Sequence, residues 1–199
     1  MKLFVLAVLA ACVAASAALT IPARCQSPKQ FYGQVFAFEQ HRSERGEVQG
    51  DYFYDETNMR KARYERAHVN GSNYRLHIIE LFNEKKYYEI NLDTDECRSG
   101  DLTAPFIPHG VVRNATFRGD FIVGTSAIEG AGVEIELWTH EFQHEGHRFY
   151  WTGEFTRVAC VPVRTTVQGE QGEFFTESFV DVVGGIPDPN AFVVPSSCN

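Results

Sequence analysis

The chain has 199 residues, 44% of them hydrophobic, and a formal net charge of -8. This length suits one domain with a substantial core. The acidic balance disfavours nucleic acid as a partner, and the sequence contains no internal repeats or low-complexity tracts.

The first 17 residues carry the three parts of a secretory signal: the basic Lys2, an apolar run over residues 3–13, and the ending Ala15-Ser16-Ala17. The apolar run is shorter than the roughly 20 residues that span a bilayer, so a membrane anchor is the less favoured alternative. No later segment is apolar enough to span. We predict a signal peptide over residues 1–17 and a secreted, single mature domain over residues 18–199.

Four cysteines remain after the signal, and an oxidising compartment predicts two disulfides among them, with three pairings open. Their wide spacing, without a C-x-x-C pair, argues against a zinc cluster or a redox motif; they are Cys25, Cys97, Cys160 and Cys198. Two sequons, Asn70-Gly71-Ser72 and Asn114-Ala115-Thr116, lie between strand-like runs. We predict glycosylation at Asn70 and Asn114 in surface loops.

The first half of the mature chain alternates apolar and polar residues with the period of two that is typical of β-strands. Strand-like runs cover residues 31–39, 48–55, 74–78 and 87–92, separated by turns at 42–46, 70–71 and 83–85. In residues 59–69, charged residues recur at every second position, which predicts a strand at the edge of a sheet or one with a solvated face. A helix is the alternative. Residues 93–110, rich in Asp, Gly and Pro, are predicted to be a loop.

The second half continues this pattern, with a β-hairpin predicted from residues 133–137 and 148–155 and a long polar loop, 139–147, between them. Further strands are predicted over residues 121–126, 161–168 and 174–183. Because little of the chain has a helical pattern, we predict an all-β sandwich or a partly closed barrel.

Within the predicted loop, His140-Glu141-Phe142-Gln143-His144 matches the H-E-x-x-H pattern of zinc proteases. In those enzymes a helix places both imidazoles on one face. Here the pattern directly follows a strand-like run, and no apolar helical stripe accompanies it. We therefore predict no catalytic residue and no enzyme activity, with a zinc hydrolase as the remote alternative and no metal ligands identified.

A series of short sequence motifs along the mature chain resembles the ependymin and ependymin-related family. They run from the opening Cys25-Gln26-Ser27-Pro28-Lys29-Gln30-Phe31, through Asp93 and Cys97 after a Tyr-rich strand and the sequon Asn114-Ala115-Thr116-Phe117, to an ending with Phe179, Asp181, Gly185-Ile186, Asp188-Pro189, Phe192, Pro195 and Cys198. Each motif is weak alone, but their order over nearly the whole mature chain is fairly specific.

This resemblance implies a secreted or lysosomal glycoprotein of two stacked, curved antiparallel sheets around a deep apolar pocket, similar to bacterial lipoprotein carriers. It also implies a homodimer formed through one sheet, lipid binding, calcium binding and cell-matrix adhesion, although no calcium ligand set can be carried over to this chain. The family's disulfides would join Cys25 to Cys160 and Cys97 to Cys198. A further disulfide of the vertebrate ependymin-related branch has no counterpart here.

Three classes of function follow. The favoured one is a secreted, non-enzymatic carrier of a hydrophobic small molecule or lipid, supported by 16 Phe, 8 Tyr and 2 Trp in a β-fold; the alternative is that these aromatics fill the core. The candidate wall of its apolar pocket is the face shared by Phe149, Trp151, Phe155, Phe175 and Phe179. The second class is an extracellular adhesion protein, with Arg118-Gly119-Asp120 as an integrin-binding tripeptide, and the third is the zinc hydrolase.

Overall fold

The computed structural model describes residues 21–41 and 44–198, so the predicted signal peptide lies outside the described part. The described chain is nearly all β-structure, which confirms the predicted all-β class. No helix in it is long and apolar enough to cross a membrane. Its elements are β1 (Gln30–His41), β2 (Glu44–Asp55), β3 (Arg60–Val69), β4 (Ser72–Leu81), β5 (Lys86–Asn91), β6 (Cys97–Asp101), β7 (Thr116–Gly124), β8 (Gly132–His144), β9 (His147–Thr156), β10 (Pro162–Gly169), β11 (Phe174–Gly184) and two 3-10 turns, Pro189–Phe192 and Ser196–Cys198.

The strands hydrogen-bond into one antiparallel sheet with the order β6-β5-β4-β3-β2-β1-β11-β10-β9-β8-β7. It consists of two meanders, β1 to β6 and β7 to β11, joined where β1 pairs with β11. The two sheets that the family resemblance implies are thus continuous with each other in this chain. The sheet is not closed into a barrel, because β6 and β7 form its two edges.

The connection from β6 to β7 has to pass from one edge of the sheet to the other. Residues 102–115, which we call the crossing segment, make this passage over one face, which we call the inner face. Phe106 of this segment stacks on Tyr54 of β2 with ring centroids 5.7 Å apart, and His109 lies edge-on to Phe179 of β11 at 5.4 Å. The crossing segment therefore contacts strands on both sides of β1.

The N-terminal segment before β1 holds the crossing segment in place. The Ser27 amide donates to the His109 carbonyl at 3.1 Å, and the Val111 amide donates to the Cys25 carbonyl at 2.9 Å. A disulfide then joins Cys25 to Cys160 in the turn between β9 and β10. Backbone pairing and a covalent bond together fix the two segments against the sheet.

Two hydrophobic clusters fill the inner face. The central cluster consists of Phe31, Val35, Tyr52, Tyr54 and Phe179, and the second, toward β7, consists of Val111, Ala115, Trp138, Trp151, Phe155 and Cys160. Both clusters include alternate residues of their strands, as expected when one parity of each strand faces the core.

The C-terminal tail, residues 185–198, covers part of the opposite face, which we call the outer face. Its buried Phe192 belongs to a third cluster with residues of β2 and β3, and the Arg60 guanidinium lies 4.1 Å from the Phe192 ring centroid. A second disulfide, between Cys97 and Cys198, ties the end of the tail to β6. Both disulfides are the pairs that the family resemblance implies.

Three local predictions from the sequence are wrong. The predicted loop over residues 139–147 is strand up to His144, which leaves a tight turn at Glu145-Gly146 with φ of 51° and 82°. The predicted loop 93–110 contains β6. Residues 60–69 are not at an edge, because β3 pairs on both sides. In each case pairing with a neighbouring strand provides hydrogen bonds for the backbone N–H and C=O groups, whatever the polarity of the side chains.

We predict that replacing Cys97 and Cys198 with serine lowers the free energy of unfolding by up to about 4 to 5 kcal/mol, the chain-entropy contribution of a loop near 100 residues. The sequence separation of this pair is 101. Urea unfolding of the double variant, with Cys25–Cys160 intact, measures the loss. A loss below about 1 kcal/mol would show that the packing of Phe192 alone holds the tail.

Candidate functional site

The five aromatic residues of the predicted pocket wall share the inner face. Trp151 lies opposite Val167 across β9 and β10, and Val167 lies opposite Phe175 across β10 and β11. Three of the five are buried in the two clusters described above, namely Trp151, Phe155 and Phe179. Phe149 and Phe175 are only partly covered. The structure thus places all five on one face, and their role in ligand binding stays a prediction.

This predicted wall is interrupted by charged side chains. Glu177 lies between Phe175 and Phe179 on the inner-facing parity of β11, and Arg63 and Glu65 lie on the inner-facing parity of β3. The Glu65 side chain is 4% exposed, and one of its oxygens lies 3.6 Å from the Arg63 Nε. Neither of these two atoms has a hydrogen-bond partner among the described residues. The inner face is therefore partly polar at its centre.

The charged groups on this face affect one another's pKa values. Burial raises the pKa of Glu177, while the Arg63 and Lys61 charges oppose that rise. Burial lowers the pKa of Lys61, and the charges of Glu80 and Glu177 oppose it. Glu177 on β11 and Lys61 and Arg63 on β3 therefore influence one another across the inner face, although two strands separate β11 from β3 in the sheet.

His109, on the crossing segment, is a strongly perturbed titratable group of the inner face. Burial, assisted by the charge of Lys61, lowers the pKa of His109 to about 3. Its Nε2 lies 2.8 Å from the Tyr52 hydroxyl, and its amide donates to the Tyr54 hydroxyl at 3.1 Å. A neutral imidazole is thus a structural part of the contact between the crossing segment and β2.

We predict that His109 makes the fold sensitive to acid. The pKa of His109 in the folded chain lies below the unfolded value of about 6.5, so His109 does not make the free energy of unfolding depend on pH above that value. Between pH 6.5 and about 3, the unfolded chain binds a proton that the folded chain does not, and the free energy of unfolding falls by about 1.4 kcal/mol per pH unit.

Urea unfolding at pH 7, 6, 5 and 4 tests this for the natural chain and for His109→Gln. The slope in question is that of the free energy of unfolding against pH. Its difference between the two proteins gives the effect of His109 alone. Glu65 and Glu177 have raised pKa values, which change stability with pH in the opposite direction. His68→Gln, at an exposed histidine, is the matched control and should leave the slope unchanged. Equal slopes for the natural chain and His109→Gln would contradict the prediction.

The H-E-x-x-H sequence lies on a strand, not on the helix that a zinc protease requires. Four strand residues span about 13 Å, so His140 and His144 are too far apart to bind one metal ion. The His144 side chain is 70% exposed. Across residues 21–41 and 44–198, no three His, Cys, Asp or Glu are grouped closely enough to hold a metal.

The predicted surface features lie at exposed positions. Asn70 and Asn114 are exposed in turns with φ of 49° and 69°, where a glycan has room. Arg118 and Asp120 are on β7, an edge strand. The Arg118 Nε donates to the Thr139 hydroxyl on β8 at 2.7 Å.

The outer face carries a groove that the sequence did not predict. The outer groove has a volume of ≈ 670 Å³ and opens across β11, β1, β2, β3 and β4, beyond the area that the C-terminal tail covers. Phe36 and Phe38 are its apolar residues of outer-facing parity, while Ala37, Val48, Ala67 and Tyr74 line it from strand positions of the inner-facing parity. Its polar lining is Glu47, Gln49, Arg66, His68, Asn73, Arg75, Asp93 and Thr176. The imperfect alternation of β1 is the feature of the sequence that could have indicated this groove. Phe36 and Phe38 are even-numbered, so they lie on the face opposite to the buried Phe31 and Val35.

A smaller polar groove of ≈ 320 Å³ adjoins the outer groove. The two grooves share Gln49, Arg66 and Arg75. Arg66 lies directly opposite Arg75 across β3 and β4, and Arg75 pairs with Asp93 at 3.0 Å. Phe36 lies in the same cross-strand row as Gln49, Arg66 and Arg75. Apolar surface on β1 and two cations on β3 and β4 thus lie side by side on the outer face, and such an arrangement can bind an amphiphile.

Sequence similarity to known proteins shows the family of this chain. The ependymin family model matches residues 70–198, more than half of the chain. The chain belongs to the ependymin family. Mammalian ependymin-related protein 1 of Rattus norvegicus is 25% identical over 178 residues, covering 89% of this chain and 77% of that protein. Ependymin of Notemigonus crysoleucas is 25% identical over 149 residues, covering 75% and 68%.

A solved structure supports the fold alone. An uncharacterized conserved protein from Thermus thermophilus superposes with a TM-score of 0.50 at 10% identity, covering 85% of this chain and 87% of that one. Membership of the ependymin family, together with the two disulfides, supports an extracellular glycoprotein-type role.

Proposed function

We propose that this ependymin-family protein is an extracellular, non-enzymatic carrier that binds the acyl chain of an amphiphile in the outer groove. The observation that carries this proposal is the mainly apolar lining of a groove of ≈ 670 Å³, within the range of roughly 300 to 1,000 Å³ found for small-molecule sites. Phe36 remains 42% exposed there. Contact with an acyl chain would remove this apolar surface from water.

The predicted inner wall is the alternative ligand surface. Phe149 and Phe175 are its partly covered members, whereas Trp151 packs with Trp138 and Phe155. Calcium binding, homodimer formation and lysosomal location, which the family resemblance implies, stay predictions.

We predict that affinity for neutral alkyl maltosides rises about fourfold for each methylene, because each buried CH₂ contributes about 0.8 kcal/mol, until the groove is filled. Isothermal titration calorimetry below the critical micelle concentration measures this series. Phe36→Ser should weaken binding by about tenfold or more. Phe121→Ser, at a 49% exposed residue of β7, removes the same apolar side chain elsewhere and should not.

Two outcomes of this titration would contradict the proposal. Absence of binding to every maltoside would exclude an acyl carrier. If binding were lost in Trp151→Ala and retained in Phe36→Ser, the ligand would lie on the inner wall.

Adhesion through Arg118-Gly119-Asp120 is a second candidate, favoured by the position of this tripeptide on an edge strand. If integrins bind it, Asp120→Glu should abolish cell attachment to surfaces coated with the purified protein, because the longer side chain displaces the carboxylate. Glu170, after the end of β10, lies outside the tripeptide and is 46% exposed, so Glu170→Asp is the control. Attachment that Asp120→Glu leaves unchanged would exclude this candidate.

A further inference from the structure

We propose that His144 and His147 bind a divalent transition-metal ion, Cu²⁺ ahead of Zn²⁺, at the tip of the hairpin formed by β8 and β9. This site shares no residue with the outer groove, and the inference does not rest on the proposed carrier function. Within residues 21–41 and 44–198, no third His, Cys, Asp or Glu is grouped with the two histidines, so water completes the coordination of the ion.

The register of the hairpin brings the two imidazoles together. His144 and His147 are directly opposite each other on β8 and β9. Both residues of the turn between them, Glu145 and Gly146, have positive φ, as in the two-residue turns that fix the register of a hairpin. Directly opposite residues point to the same side of a sheet, with Cβ atoms about 5 Å apart. Two imidazoles at this separation can bind one ion, as His140 and His144, about 13 Å apart along β8, cannot.

Side chains of the turn between β10 and β11 hold the ring of His147. Gln171 Nε2 lies 2.8 Å from His147 Nδ1, and Glu170 Oε1 lies 3.9 Å from the same nitrogen. Glu170 is itself fixed, because its Oε1 accepts a hydrogen bond from the Arg148 amide at 3.2 Å. A half-turn of the Gln171 amide places its oxygen at Nδ1, so that Nδ1–H donates and Nε2 keeps its lone pair for the ion. Metal-binding histidines have an acceptor of this kind on the other ring nitrogen.

Two carboxylates favour a cation at this tip. Glu145 Oε1 lies 3.9 Å from His144 Nε2, and Glu170 lies at the same distance from His147. The Arg148 guanidinium belongs to the opposite face of the hairpin, because successive residues of β9 alternate between faces. The side chains of His144 and His147 are 70% and 45% exposed, so an ion from solution reaches both rings without a change in fold.

The nitrogen ligands decide which ion binds. Imidazole suits Cu²⁺, Zn²⁺ and Ni²⁺, whereas Ca²⁺ and Mg²⁺ prefer oxygen ligands. Among divalent ions of the first transition series, Cu²⁺ binds a given site most tightly. Two imidazoles and water also provide the nitrogen and oxygen ligands of the tetragonal geometry that Cu²⁺ prefers. The site therefore differs in chemistry from the calcium binding that the family resemblance implies.

Isothermal titration calorimetry of the purified, tag-free protein with CuCl₂, ZnCl₂ and CaCl₂ tests the proposal. One Cu²⁺ should bind per chain, Zn²⁺ should bind more weakly, and a large excess of Ca²⁺ should not displace the Cu²⁺. Electron paramagnetic resonance of the copper complex should show hyperfine coupling to two nitrogens, one from each imidazole.

His144→Gln and His147→Gln should each weaken Cu²⁺ binding by about 10- to 100-fold, since even the loss of a hydrogen-bond partner of a ligand has this effect on metal affinity. Each variant should also reduce the coupling to one nitrogen. His140→Gln and His41→Gln are the matched controls and should bind as the natural chain does. His41 is exposed at the end of a hairpin strand, opposite Glu44, and neither control residue lies opposite another histidine. Circular dichroism of each variant checks that the sheet is intact.

Three outcomes would overturn the proposal. Copper that the double variant His144→Gln/His147→Gln still binds would be held by other groups, such as the N-terminal amine. An equal loss in His41→Gln would show adventitious binding to surface histidines only. A loss in His140→Gln and His144→Gln, with His147→Gln unchanged, would assign the ligands to the H-E-x-x-H sequence. None of these outcomes affects the carrier proposal, because none of the substituted residues lines the outer groove.

Discussion

The chain has to travel from β6, at one edge of an eleven-stranded sheet, to β7 at the other edge. This passage places residues 102–115 across the inner face, where His109 contacts aromatic rings of both β2 and β11. A connection buried in this way needs partners for its backbone polar groups. The N-terminal segment and the Tyr54 hydroxyl supply them, so the segment before β1 helps to hold the crossing segment on the sheet.

Because the crossing segment lies on the inner face, the protein covers much of that face with its own residues. The two clusters on that face include residues of the crossing segment or contact it, and the charged groups of β3 lie beside it. Placing Lys61, Arg63 and Glu177 on such a face costs solvation energy, which their opposite charges offset in part. Burial and mutual attraction act on these groups in opposite directions, as the pKa of Glu177 shows.

The outer face has a different composition. The C-terminal tail covers the part of β2 and β3 where Phe192 packs and leaves the part nearer the turn at Asn70 open. Apolar residues of β1 that the tail does not cover therefore lie beside cations of β3 and β4. This open apolar surface bordered by charge is the feature on which the proposed carrier function rests.

The fold class, most of the strands and the family of this protein could be predicted from its sequence alone. Period-two alternation and turn residues led to the all-β class and to most of the strands, because side-chain parity is a local property. The ordered motifs from Cys25 to Cys198 led to the family. The aromatic residues of the predicted wall do share one face, because parity also relates Phe149 to Trp151 and Phe175 to Phe179 within each strand.

Only the tertiary structure decided what lies against each face. The charged parity of β3 has the pattern of a solvated face, yet it lies on the inner face, where Glu65 is buried. The pairing of β3 with both β2 and β4, which decides this, is not a local property. The opposition of Arg66 and Arg75 likewise depends on the register between two strands. The outer groove lies on the part of the outer face that the tail, residues 185–198, does not cover, and no pattern within β1 could show where the tail would pack.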